Sequence, residues 1–148
     1  MKKIILVILI ILQAIAVSAQ MDIPPDGGNT TAMISEDVGI TGITIKYHRP
    51  AVKGREGKIW GTLVPYGFNV FNAAAGKPVS PWRAGANEAT TISFEHDVKV
   101  EGKDIKAGTY ALFMAMGKDT VTVIFSKEVE AWGTFFYRPE NDVLRIYV

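Results

Sequence analysis

Residues 81–90 read Pro-Trp-Arg-Ala-Gly-Ala-Asn-Glu-Ala-Thr, and they set four chemically capable side chains among small spacers. Trp82 offers a face on which a sugar ring or an apolar group could stack. Arg83 carries a planar fork of donors that matches a carboxylate, phosphate or sulfate bidentately. Glu88 can accept hydroxyls or act as an acid or base. The same residues also have a structural reading. Arg83 would pair with Glu88, or Glu88 with Arg49 or Arg55, and Asn87 would bond loop backbone that otherwise goes unsatisfied.

Arg49, Lys53 and Arg55 form a second group, either an anion cradle beside Arg83 or a solvated charged loop. His48 and His96 are the two histidines and there is no cysteine, so His-rich and thiolate metal sites are both excluded, and neither a metal nor a cofactor is expected. His48, next to Arg49, would form an acid–base pair with Glu88. His96 stands in an apolar stripe between Phe94 and Val98 and is expected as a hydrogen-bonded core histidine. There is no Gly-x-Ser-x-Gly elbow, His-Glu-x-x-His, phosphate loop or EF-hand loop.

The elements that must position these groups follow from periodicity. Ile92, Phe94, His96, Val98 and Val100 alternate with Thr91, Ser93, Glu95, Asp97 and Lys99, which predicts one strand over 91–100 running straight out of the Trp-Arg segment. Further strands are expected over 40–47, 59–64 (with Trp60 packed), 109–116, 120–125, 132–137 and 143–148. In 109–116 both alternating sets are apolar, so this strand is placed at the centre of its sheet. Glu101-Gly102-Lys103, Gly117-Lys118-Asp119 and Pro139-Glu140-Asn141-Asp142 read as turns. Residues 65–89 form a long connection, and Tyr66, Phe68 and Phe71 indicate that it packs onto the domain. A helical turn would fit 72–76. Short strands at regular spacing, with no helical period, define an all-β, antiparallel β-sandwich, jelly-roll-like or barrel-like, with a long ordered loop capping one end.

Ahead of this domain, residues 1–19 have the form of a secretory signal peptide. Lys2 and Lys3 precede an apolar run, and Val17-Ser18-Ala19 place small residues before an expected cleavage at Gln20. The run is shorter than the ~20 residues a spanning helix needs, so no stable membrane span is expected after cleavage. The chain is therefore expected to be exported, to a periplasmic or extracellular location. Without cysteine it must rely on its core or on oligomerisation rather than disulfides. Past the leader, 14 basic residues stand against 15 acidic ones, which gives no electrostatic case for nucleic acid. Residues 20–39, with Pro24-Pro25 and Asp26-Gly27-Gly28, are expected as an N-terminal arm or linker and 40–148 as the sandwich. The sequence stops inside an apolar strand, and the expectation is a domain that continues with at least one more strand.

Several runs carry a resemblance. They are Ile43-Thr44-Ile45-Lys46-Tyr47-His48-Arg49-Pro50, Lys53-Gly54-Arg55, Pro65-Tyr66-Gly67, the Trp82–Thr90 segment, Ala107-Gly108-Thr109-Tyr110-Ala111-Leu112-Phe113, Trp132-Gly133 and Asp142-Val143-Leu144-Arg145. On these the chain resembles the uncharacterised bacterial family called domain of unknown function 2911, found mainly in exported proteins of Bacteroidota-type bacteria. The resemblance runs from residue 40 to the end and implies a fold and a location, but no activity. Many relatives pass almost directly from the Pro-Tyr-Gly turn to the Trp-Arg segment, whereas here residues 68–81 intervene.

Three functional expectations remain open. The first is a non-catalytic exported module that binds a small molecule, glycan or protein at the capped end, through Arg49, Lys53, Arg55, Trp82, Arg83, Asn87 and Glu88. The second is a hydrolase or lyase acting on an anionic or glycan-like substrate, with Glu88 and His48 as the reactive pair and Arg83 as the anchor. The third is a purely structural envelope module whose polar residues satisfy one another.

Overall fold

The computed structural model describes residues 28–148. The expected leader, 1–19, and the first part of the expected arm, 20–27, lie outside the described residues. The described part is all-β and antiparallel. Its strands are β1 (Thr30–Val38), β2 (Thr41–Arg49), β3 (Val70–Asn72), β4 (Lys77–Ser80), β5 (Thr90–Phe94), β6 (Val98–Val100), β7 (Lys103–Ile105), β8 (Gly108–Met116), β9 (Val121–Ser126) and β10 (Asp142–Tyr147), with one 3-10 turn at Pro139–Asn141. Six strands make the main sheet in the order β1-β2-β5-β8-β9-β10; β3-β4 and β6-β7 are separate two-stranded sheets.

β8 is central, as its two apolar faces require. Tyr110 and Leu112 join Phe94, Phe125 and Ile146 on one side of the sheet, where Ile105, Val98 and Val100 of the β6-β7 hairpin cover them. Ala111 and Phe113 join Ile124 and Tyr137 on the other side, beneath Phe68, Ala89 and Ala131 from the long connections. Phe113 and Ile124 are wholly buried, and Tyr137 meets Phe113 edge-on at 5.6 Å between ring centroids. A strand covered on both faces reads as a continuous apolar run.

Six expectations change in the structure. Residues 30–38, expected within the arm, form the edge strand β1, which pairs with β2 without a break from Thr30↔Arg49 to Val38↔Thr41. Its side chains are nearly all exposed, so no buried face announced it. The strand expected over 91–100 is two, β5 and β6, bent at 95–97. There the Asp97 carboxylate accepts the Ala107 N–H (2.9 Å) and Lys106 Nζ (2.7 Å), which folds the hairpin back over the sheet. Ile92, Phe94, Val98 and Val100 all reach one cluster, so the alternation survives the bend and conceals it. His96 falls at the bend and is exposed, not in the core.

Residues 59–64 turn tightly instead of extending, closed by Gly61 N–H to Val64 O (2.9 Å) and Val64 N–H to Ile59 O (2.8 Å). Residues 132–137 are likewise a turn, apart from one bridge between Trp132 and Glu88. The helical turn expected over 72–76 is instead the tip of the β3-β4 hairpin, within the long connection. Among the described residues no helix is long and apolar enough to cross a membrane.

Candidate functional site

The segment carrying Trp82 and Arg83 is tied to the sheet at both ends. Trp82 exchanges backbone hydrogen bonds with Met114 at 2.7 and 2.8 Å, and Thr90 enters β5 opposite Leu112. Between these anchors the chain loops out and is closed on itself. Thr90 donates its N–H to Arg83 O (3.3 Å) and its Oγ1 hydroxyl to Ala84 O (3.0 Å). Ala84 and Asn87 hold positive φ, 54° and 57°, a conformation that asparagine tolerates better than alanine. Gly85 is buried where a Cβ would sit 3.0 Å from the His48 carbonyl oxygen. The loop therefore lies directly on β2.

The expected site residues divide between two cavities. Trp82, Arg83 and Arg55 line the first, about 470 Å³, whose walls include Ile59, Leu63, Val70 and Phe71. Trp60, which the sequence placed in a strand, instead meets Trp82 edge-on at 5.5 Å and stands half-exposed. His48 and Glu88 line the second cavity, about 390 Å³, with Thr31, Lys46 and Thr91. His48 Nε2 lies 3.3 Å from Glu88 Oε2 and 3.0 Å from Thr31 Oγ1.

Arg49 and Lys53 line neither of these cavities. Arg49 Nη2 donates to Thr30 Oγ1 (3.2 Å) on the β1-β2 hairpin, and Lys53 is exposed. Arg55 is held by its own loop, donating Nε to Val52 O (2.8 Å) and Nη2 to Ala51 O (2.6 Å). Asn87 Oδ1 accepts Asn29 Nδ2 (3.2 Å), and Asn87 O accepts the Gly133 N–H (3.0 Å). Thus Arg55 alone of the second basic group joins Arg83. Among the described residues no ion pair links Arg83 to Glu88, or Glu88 to Arg49 or Arg55; Glu88 lies against His48 instead.

Arg83 and Arg145 are both partly buried, and their surroundings differ sharply. Arg145 donates Nε to Asp142 Oδ2 (2.7 Å) and Nη2 to the Tyr137 hydroxyl (2.9 Å), and its guanidinium lies 5.3 Å from the Phe68 ring centroid. Burial alone would pull its pKa down, but the Asp142 hydrogen bond and the charges of Tyr137 and Asp142 leave it above the ordinary value. Arg83 has no such company. Its Nε is buried with no hydrogen-bond partner among the described residues, and burial pulls its pKa below the ordinary arginine value. Its Nη1 lies against Gly133, 3.4 Å from where a Cβ would be.

The Tyr137–Asp142–Arg145 cluster was not among the expected site residues. The three-residue step from Asp142 to Arg145 was its only sequence signal, and Tyr137 comes to it from a turn that had been expected as a strand. Among the described residues no group of His, Cys, Asp and Glu could hold a metal ion.

A family model described as "Protein of unknown function (DUF2911)" matches residues 29–148, and the chain belongs to that family. The match begins at the residue before β1, so it takes in the edge strand as well as the segments that first carried the resemblance. No curated protein and no solved structure matches the chain at a significant level.

Proposed function

We propose that this domain is an exported, sandwich-like binding module, and that the cleft lined by Trp82, Arg83 and Arg55 takes an anionic ligand. One observation carries the reading: Arg83 is partly buried and has neither an ion pair nor a side-chain hydrogen bond among the described residues. A buried cationic group is costly unless it is paired, and Arg145 supplies the contrast within the same domain. A carboxylate, phosphate or sulfate entering the cleft would give Arg83 the partner it lacks. Export rests on the leader sequence, and the layered sandwich on the apolar cover over both faces of the sheet. The test is a calorimetric panel of small anions against the wild type and Arg83→Gln. Binding by the wild type that the folded variant loses supports the reading; equal behaviour of the two proteins removes it and favours the structural module.

A second reading has its own observation. His48 and Glu88 form a contact pair at the wall of a separate cavity, which suits a hydrolase or lyase that moves a proton between an imidazole and a carboxylate. In that reading Arg83 is not the substrate anchor, because it lines the other cavity. Turnover of any anionic or glycan-like substrate that Glu88→Gln abolishes, with the fold intact, would favour this reading over the first.

A further inference from the structure

Resting on the anion-site reading above, we infer that the Arg83 cleft is selective for an acid with an apolar body: a carboxylate or sulfonate head on an alkyl or aryl chain, and not a glycan acid. The lining supplies the argument. Among the described residues that line it, Arg55 and Arg83 are the only charged ones, with no aspartate or glutamate, so an anion meets no repulsion from them. Most of the remaining lining is apolar, with Ile59, Leu63, Val70, Phe71 and Trp82 as its largest contributors. The volume, about 470 Å³, lies in the range of small-ligand sites.

The two uncharged polar side chains of the lining are partly committed. Asn29 spends its Nδ2 on Asn87, and Asn69 donates its Nδ2 to the Tyr66 carbonyl. A sugar ring brings several hydroxyls that each need an acceptor, and two amide oxygens, with no carboxylate among the described lining residues, leave most of them unpaired in a partly desolvated space. An alkyl chain has no such need and gains by leaving water. Arg83 and the free donors of Arg55 then serve one head group, while the Ile59–Val64 turn and the β3-β4 hairpin enclose the chain. Leu63 and Phe71 are more than half-exposed without a ligand, which is the surface such a chain would cover.

The test compares four probes by calorimetry and tryptophan fluorescence on the whole chain: octanoate, acetate, octanol and glucuronate. Octanoate should bind at least tenfold tighter than acetate, octanol or glucuronate. Arg83→Gln should weaken octanoate about tenfold or more. Leu63→Asp, a change at an exposed wall position that leaves the fold intact, should do the same by placing an anion in the cleft. Glucuronate binding as tightly as octanoate, with dependence on Arg83, would overturn the apolar-body inference while the anion site stands. Absence of binding by all three acids would overturn both.

Discussion

Trp82 and Met114 exchange both backbone hydrogen bonds, at 2.7 and 2.8 Å, so the residue before Arg83 is held by the central strand of the sheet. The closing bonds from Thr90 to Arg83 O and Ala84 O fix the other end of the loop. Arg83 thus leaves a stretch of backbone that is tied to the sheet at both ends.

A direct consequence concerns stability. Replacing Arg83 by methionine keeps most of the apolar stem and removes a buried donor that has no acceptor. Orphaned buried donors cost about 1–3 kcal/mol, and the partial exposure of this side chain reduces what is recovered. Arg83→Met is expected to melt no lower than the wild type, and up to about 1 kcal/mol more stable, while losing anion binding. A large drop in melting temperature would mean that Arg83 has a structural partner after all.

Gly85 tests how closely the loop rests on β2. A methyl group at this position would sit 3.0 Å from the His48 carbonyl oxygen and 3.1 Å from Thr90 Oγ1. The first neighbour is backbone in a paired strand and cannot retreat. Overpacking of this kind costs about 1–3 kcal/mol. Gly85→Ala should lower the denaturation midpoint by that order, with the far-ultraviolet spectrum unchanged. A variant as stable as the wild type would show that the loop lifts freely.

The wall of the cleft has its own dependence on one buried amide. Asn72, 2 % exposed, donates Nδ2 to Tyr137 O (3.0 Å) and accepts the Ala75 N–H (3.2 Å), which ties the β3-β4 hairpin to the turn behind it. Asn72→Ala removes one partner from each bond and should cost about 1–3 kcal/mol in urea denaturation. Because Val70 and Phe71 line the cleft, ligand affinity should fall with it. An unchanged affinity would separate the hairpin from the site.

Alternation made the sheet strands legible wherever one side of a strand is buried. The centre, β8, was readable because Tyr110, Leu112, Ala111 and Phe113 leave no polar face. Two features hid from the same signal. β1 buries almost nothing, so its pairing with β2 left no apolar period, and β6 continues the alternation of β5 through a bend made by Asp97. The aromatic stretches around Trp60 and Trp132 carry strand-like composition but close into turns at Gly61 and Gly133, both at positive φ. For the site, the residue types in the Trp-Arg segment were legible and their grouping was not. Arg83 and Glu88 are close in sequence, yet the loop between them, with Ala84 and Asn87 at positive φ, delivers them to different cavities.

Tyr137 gives a pH dependence with a definite sign. Burial, then the hydrogen bond to Asp142 and that residue's charge, raise its phenol well above the ordinary value of 10.0, against the lowering effect of Arg145. Its hydroxyl donates to Asp142 Oδ2 at 2.6 Å and accepts Arg145 Nη2 at 2.9 Å. With the folded pKa raised, the unfolded chain releases this proton first as pH rises. The contribution is therefore complete below pH 10.0 and is lost as pH climbs from there towards the folded pKa. Tyr137→Phe should cost about 1–2 kcal/mol near neutral pH through the lost bonds. Asp142, whose Oδ1 already lacks a partner, would lose a donor as well. Between about pH 9 and about pH 11 the melting temperature of the wild type should fall more steeply than that of the variant, so that the two curves converge. Parallel curves across that range would show that the Tyr137 proton is not held by the fold, and that the Asp142–Arg145 pair stands without it.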